Sequence, residues 1–342
     1  MSHEPQKPVA CPDCADQGAD PAVTRRDFVR TVGTAALAGG LLGRVTTPSS
    51  ARSVLDDKGM TRPAETAAKR LYDSLSEEQK KVVCFSFEDE LRKRINANWQ
   101  ITKPTVETFF NKEQQRYIEE VFKGVTSPDG YERFQKQMDE DYGGFGSYHV
   151  ALFGTPGSGR FEFEMTGRHL TIRADGNCID GTAFGGPIIY GHGTGDGQKG
   201  LPGNVFYYQT QKANEVFKAL DGKQRDKALL PKAPAENAVP IQGDGGKFPG
   251  ISVGELASDQ KALVESVIKV ILAPYREDDV KEAIDLLKQG GGLDHLHMAF
   301  YQDQDVGMDQ EWDVWRLEGP TWVWHFRGAP HVHAYVNIGK KS

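Results

Sequence analysis

The most pointed arrangement of chemistry-bearing residues in the chain is His331-Val332-His333, close to the C-terminus. Residues i and i+2 of an extended strand leave the same face, so this spacing brings two imidazoles to one side. Paired imidazoles suit zinc, copper, iron or nickel. A third histidine, His169, ends a segment that resembles the one before His331. Phe161-Glu162-Phe163-Glu164-Met165-Thr166-Gly167-Arg168-His169 lines up with Trp322-Val323-Trp324-His325-Phe326-Arg327-Gly328-Ala329-Pro330-His331, with one extra residue in the second turn. Each copy reads as strand, glycine turn and a strand opening with histidine. Two hairpins packed as this repeat implies would gather His169, His331 and His333 into a metal shell. Glu164 and His325, at matching positions before the turns, would complete it or move protons. An open coordination position would admit a small-molecule substrate, with Arg168 and Arg327 orienting an anionic one. Zinc favours hydrolysis in such a site, and copper or iron favours redox chemistry. The competing reading makes the histidines structural, in a binding or scaffold protein of the envelope. Trp312, Trp315, Trp322 and Trp324 would then form core or a partner surface.

Other motifs carry less. Gly191-His192-Gly193-Thr194-Gly195-Asp196-Gly197 looks like a phosphate cradle but lacks the Gly-Lys-Ser/Thr ending of a P-loop and the dinucleotide spacing. It reads as a loop at the mouth of the site, with His192 as a fourth ligand or proton-transfer group. His295 and His297 form a second H-x-H without a partner in the repeat, and read as a helix or strand end. Glu162 and Glu164 share a strand face, which suits paired carboxylate chemistry or ordinary solvation. No Gly-x-Ser-x-Gly elbow and no H-E-x-x-H helix is present. Cys11 and Cys14 have redox or zinc spacing but precede an export signal. Cys84 and Cys178 could form one disulfide but cannot by themselves build a four-cysteine zinc site.

The elements that must position these residues follow from periodicity. Helical spacing runs from about residue 63 to 138 and returns over 214–230 and 259–272, while 148–174 and 320–338 alternate with period two. The pattern predicts an α+β domain with central antiparallel β structure, two pseudo-repeated hairpins and flanking helices. Phe161, Phe163, Met165, Trp322, Trp324 and Phe326 read as its core. The phrases Leu75-Ser76-Glu77-Glu78-Gln79, Phe110-Asn111-Lys112-Glu113-Gln114, Leu220-Asp221-Gly222-Lys223-Gln224 and Leu256-Ala257-Ser258-Asp259-Gln260 read as helix caps.

Thr24-Arg25-Arg26-Asp27-Phe28-Val29-Arg30 precedes a short apolar, glycine-containing run and the small residues Ser49-Ser50-Ala51. Residues 1–51 therefore read as a twin-arginine signal region, and 52–342 as a single domain working in the periplasm or outside the cell. The run is too short for a membrane span. The expected partner is the twin-arginine translocation machinery. Residues 1–51 hold five basic and five acidic side chains, so the net charge of −7 survives their removal and disfavours nucleic acid.

Taken in order, several of these pieces resemble the DUF3500 family of exported bacterial proteins of unknown function. They are Leu75-Ser76-Glu77-Glu78-Gln79 followed by Asn98-Trp99, Gly167-Arg168-His169-Leu170 leading into Phe184-Gly185-Gly186-Pro187, the helix from Leu220, and Gly319-Pro320 before His331-Val332-His333. Arg168 stands where the family's phrase has a histidine, so only His169 is carried over. The resemblance implies a shared fold and a shared site, without a reaction.

Overall fold

The computed structural model describes residues 62–193, 203–306 and 311–341. The expected signal region, the Cys11/Cys14 pair and Thr194 to Gly197 of the glycine-rich tract lie outside them. The first half opens with α1 (Pro63–Ser74), α2 (Glu77–Val83) and the short β1 (Cys84–Phe85). It continues through α3 (Val106–Phe109), α4 (Lys112–Val125) and α5 (Pro128–Tyr142) to β2 (His149–Gly154), β3 (Phe161–Gly167), β4 (Leu170–Ala174) and β5 (Ile188–His192). The second half repeats the plan: α6 (Tyr208–Ala219), α7 (Gly222–Ala228) and β6 (Leu229–Leu230), then β7 (Ile251–Ser252), α8 (Ser258–Leu272) and α9 (Glu277–Gln289). It ends on β8 (His297–Tyr301), β9 (Val314–Gly319), β10 (Trp322–Arg327) and β11 (Val332–Ile338).

All eleven strands join one mixed sheet, in the order β1-β2-β3-β4-β5-β11-β10-β9-β8-β6, with β7 paired to β8. The order reads alike from either edge: a short parallel strand, four antiparallel strands, and a junction at β5 and β11. The helix starts obey the same symmetry. Gln79 and Gln114, each inside a capping box, exchange side-chain hydrogen bonds at 2.9 and 3.0 Å, and Gln114 donates to Ser74 O. Gln224 and Gln260 do the same at 3.0 and 2.7 Å, and Gln260 donates to Ala219 O. The four cap phrases are thus two copies of one buried glutamine clasp. The symmetry relates the halves differently from the sequence expectation. It pairs β3–β4 with β9–β10, not with β10–β11, because alternating aromatics and a tight turn are shared by several hairpins of this sheet.

One sheet face carries the aromatic residues as expected. Phe163, Met165, Trp322, Trp324 and Phe326 pack with helical residues such as Phe122, Phe134, Val216 and Ile268 in the main core. The other face, where solvation is one reading of Glu162 and Glu164, is buried as well. Coil 86–104 lays Trp99 and Ile101 over Ala151 and Phe153, and the proline-rich coil 231–250 lays Val239 over Val323 and Tyr335. Apart from a bridge between Asn98 and Arg168, these coils pair little with the sheet through their backbones, so side chains pin them. Ile101 N–H donates to Thr166 Oγ1, Arg316 donates to Ala238 O, and Asn337 donates to Val239 O. No described helix is long and apolar enough to cross a membrane. The predicted helix over 214–230 is broken at Leu220-Asp221, where Asp221 caps a new helix.

Candidate metal centre

The histidines meet because of sheet register. Leu170 pairs with Tyr190, and Tyr190 with Ala334, so the next row across β4, β5 and β11 runs from His169 through Gly191 to His333, which in turn faces Arg327. Adjacent strands lie about 4.8 Å apart, which would hold the outer imidazoles away from each other if the middle residue had a side chain. Gly191 has none. A Cβ there would sit 3.3 Å from the His169 Cβ and 2.2 Å from Val332 O. Ring centroids of His169 to His331, His169 to His333 and His331 to His333 are consequently 5.0, 4.9 and 4.6 Å apart. One nitrogen from each ring can be chosen so that all three lie within 4.8 Å of one another, and all three residues are buried.

His169 occupies the second position of a two-residue hairpin loop between Gly167 and Leu170, at φ +55. A non-glycine residue in the left-handed region costs about 1–3 kcal/mol and persists only where its surroundings fix it. Here His169 N–H donates to Ala97 O at 2.6 Å, and Arg168 O accepts from Tyr148 Oη at 2.8 Å and Gln137 Nε2 at 3.1 Å. The ring is oriented by Asp141, whose Oδ2 lies 2.6 Å from His169 Nδ1. An ionised carboxylate only accepts, so Nδ1 carries the proton and Nε2 keeps its lone pair. Asp141 sits in the last turn of α5, where the helix dipole opposes a negative charge. Donors compensate: Gly193 N–H to Oδ1 at 2.7 Å and Gln137 Nε2 to Oδ2 at 3.0 Å. Burial works against the charge, but the hydrogen bond from His169 holds the Asp141 carboxyl below its ordinary range.

His333 is oriented from the opposite face. Its Nδ1 lies 2.9 Å from Glu236 Oε2 and 2.9 Å from an Arg327 terminal nitrogen, and Arg327 Nε lies 3.2 Å from Glu236 Oε1. Nδ1 either donates to the Glu236 carboxylate, leaving a lone pair on Nε2, or accepts from Arg327, leaving the proton on Nε2. That Nε2 faces His331 Nε2 at 2.9 Å. In the first tautomer the two lone pairs need a cation between them, either a proton on His331 or a metal ion; in the second, His333 Nε2–H donates to His331 Nε2. Burial first, then the Arg327 charge, keeps His333 neutral well below its ordinary range, and burial does the same to His169. Neutral imidazoles in which a carboxylate fixes the tautomer are the donor set of protein metal sites.

Other expected residues fall elsewhere. His192 is not part of the group. Its Nδ1 accepts from Val205 N–H at 3.1 Å and its Nε2 contacts Glu140 at 2.8 Å, so both nitrogens are engaged away from the centre. Glu164 pairs across β3–β4 with Arg173 at 3.1 Å, beside Glu162, which Arg173 and Arg92 hold. These two glutamates form a buried ion cluster and not a solvated face, and burial pushes the Glu164 carboxyl well above its ordinary range. His325 lies on the Arg327 side of β10 but one residue pair further from His333, opposite Tyr335. It is fully buried, neither ring nitrogen has a partner, and burial lowers it to about 3. Arg327 pairs with Glu236 and also touches the centre itself, its Nη2 lying 2.9 Å from His333 Nδ1 and 3.3 Å from His331 Nε2. Arg168 lies beside His169. Cys84 and Cys178 are free thiols, and His297 opens β8 while His295 closes a single turn, as the strand-end reading expects.

Asp141 and Glu236 escaped sequence reasoning. The signal for Asp141 is an acidic residue at a helix C-terminus just before Gly143-Gly144. Glu236 shows none, being one glutamate among prolines and alanines.

Fold and site together define an α+β protein with one continuous sheet, at whose pseudo-symmetric junction three buried histidines meet, two of them bonded to carboxylates. The chain belongs to the DUF3500 family, described as a protein of unknown function, whose family model matches residues 58–337. No curated protein and no solved structure matches the chain.

Proposed function

We propose that the protein is an exported metal-dependent enzyme whose ion is held by His169, His331 and His333. The observation that carries the reading is the convergence of three buried imidazoles, two of which have the remote nitrogen bonded to a carboxylate. Zinc, copper or iron fits an all-imidazole donor set, and such an ion would supply Lewis acidity for hydrolysis or electron transfer for redox chemistry. The residues of the chain set the rest. Asp141 and Glu236 fix tautomers, Arg327 holds Glu236 in place, and coils 86–104 and 231–250 keep water from the sheet face. The twin-arginine reading of residues 24–51 belongs to the same proposal. That machinery exports folded proteins, so an ion can be loaded before translocation to the periplasm or beyond.

A second reading rests on the 2.9 Å separation of His331 Nε2 and His333 Nε2. A proton on His331 would satisfy that pair without a metal and make the cluster a structural network in a binding or scaffold protein. Elemental analysis separates the two, on protein exported by a host with a working twin-arginine system, beside the His331→Ala/His333→Ala double variant. The enzyme reading expects near-stoichiometric transition metal in the wild type and none in a variant with the same circular dichroism spectrum. Well-folded wild type without metal would move the assignment to the structural network.

A further inference from the structure

Four arginines are buried among the described residues, and three are neutralised: Arg173 by Glu162 and Glu164, Arg316 by Glu318, and Arg327 by Glu236. Arg168 differs. It is 9% exposed and makes no ion pair or side-chain hydrogen bond among the described residues, and its enclosed Nε faces no acceptor. Burying a guanidinium without a paired counter-charge is unfavourable, so its retention calls for an anion in direct contact that the described residues do not provide.

The position of Arg168 says where that anion would sit. Its backbone cannot swing away, because its carbonyl is held by Tyr148 and Gln137 and the chain is bridged to Asn98. Its head lies beside the histidine centre. The point where a Cβ on Gly193 would stand is 3.2 Å from Arg168 Nη2 and 3.2 Å from His169 Cε1, the ring atom next to Nε2. Guanidinium and imidazole edge therefore approach the same point, so closely that only a residue without a side chain fits at 193. Asp141 approaches it too, with Oδ1 2.8 Å away, but its oxygens serve Gly193 N–H, Gln137 and His169.

We infer that Arg168 is the anion-recognition arm of the histidine centre, and that the substrate carries a small oxyanion, carboxylate or phosphoryl, which the guanidinium grips with paired N–H donors. The oxyanion's contact with Arg168 stands on Arg168 alone; its second contact, with an ion on the histidines, rests on the metal reading above.

The test is isothermal titration calorimetry with acetate and with inorganic phosphate. Wild type, Arg168→Gln and Arg168→Lys are each titrated metal-free and after zinc loading, with zinc content measured on the same samples. Because the fold uses the backbone of Arg168 and not its head, both variants should melt as the wild type does. The expected result is anion binding by wild type that weakens about 10- to 100-fold in Arg168→Gln and less in Arg168→Lys, at unchanged zinc content. Stronger binding of phosphate assigns a phosphoryl substrate, and stronger binding of acetate a carboxylate. Equal binding by wild type and Arg168→Gln, or no binding of either anion by wild type, overturns the inference even if zinc is retained. Arg168-dependent anion binding in a protein that takes up no zinc would uphold the inference and refute the metal reading.

Discussion

Replacing Asp141 by asparagine tests the centre without altering any of the three histidines. Asp141 accepts three hydrogen bonds on two oxygens: Gly193 N–H at 2.7 Å on one, His169 Nδ1 at 2.6 Å and Gln137 Nε2 at 3.0 Å on the other. Asparagine keeps the shape but offers one carbonyl and one amide, so one of these sites must face a donor with a donor. If the amide turns to His169, the ring must carry its proton on Nε2, and the ligand lone pair is lost. If it turns to Gly193, the His169 bond survives but loses its ionic partner and the backbone of Gly193 is pushed away. Removing such a carboxylate typically lowers metal affinity about 10- to 100-fold, which corresponds to about 1.4–2.8 kcal/mol. The folded state should lose about 1–3 kcal/mol, the cost of an unsatisfied buried donor. Competition against a chromophoric chelator at fixed pH reads the affinity, and urea unfolding of the metal-free protein reads the stability. An Asp141→Asn protein that binds metal as tightly as wild type would refute the tautomer argument and with it the role of Asp141.

Two further predictions concern the frame around the site. Gln114→Ala and Gln260→Ala should each cost about 1–3 kcal/mol in urea unfolding, since each removes one half of a buried clasp and leaves a neighbouring helix end unsatisfied. The clasps belong to separate halves, so the double variant should show nearly the sum, and strong non-additivity would contradict their independence. Burial pushes the Asp175 carboxyl up to about 6, and burial with the charges of Asp175 and Asp279 pushes Glu282 up to about 7. Both folded values lie above the ordinary unfolded ones, so the stability these groups contribute is full below about pH 4 and lost as pH rises through 6 to 7. Glu282→Gln removes part of that loss. Measured against wild type it should gain about 1 kcal/mol between pH 5 and pH 8, an allowance being made for the partial solvent access of Glu282. A difference that does not change with pH would refute the assignment.

The periodic parts of the chain were readable because each depends on near neighbours. Alternation along Phe161 to Met165 and Trp322 to Phe326 announced strands with an aromatic core face, and the Gln-bearing phrases announced helix starts. The same locality explains the errors. Glu162 and Glu164 look like solvated residues on the outer side of a strand, and Arg327 looks available to a substrate anion, because nothing in the strand reveals that coils 86–104 and 231–250 will cover it. Glycine-rich surroundings made His192 read as part of a loop at the mouth of the site, whereas it ends β5 and is held by Glu140 and Val205. The hairpin alignment grouped the right three histidines for a partly wrong reason: His169 and His333 meet through β5, not through equivalence of two hairpins.

The sequence by itself determined the α+β composition, the capped helices, the strand that puts His331 and His333 on one face, and the family. Each follows from side-chain period or from an ordered set of short motifs. Only the tertiary structure decided that His169 joins them, because that depends on the register of β4, β5 and β11 and on the missing side chain of Gly191 between two imidazoles. It alone brought Asp141 and Glu236 behind the rings, occupied Arg327, and left Arg168 without an ion-pair partner among the described residues. Partnership between buried charges is fixed by which backbones the fold brings within a few ångströms, and no local pattern carries that information.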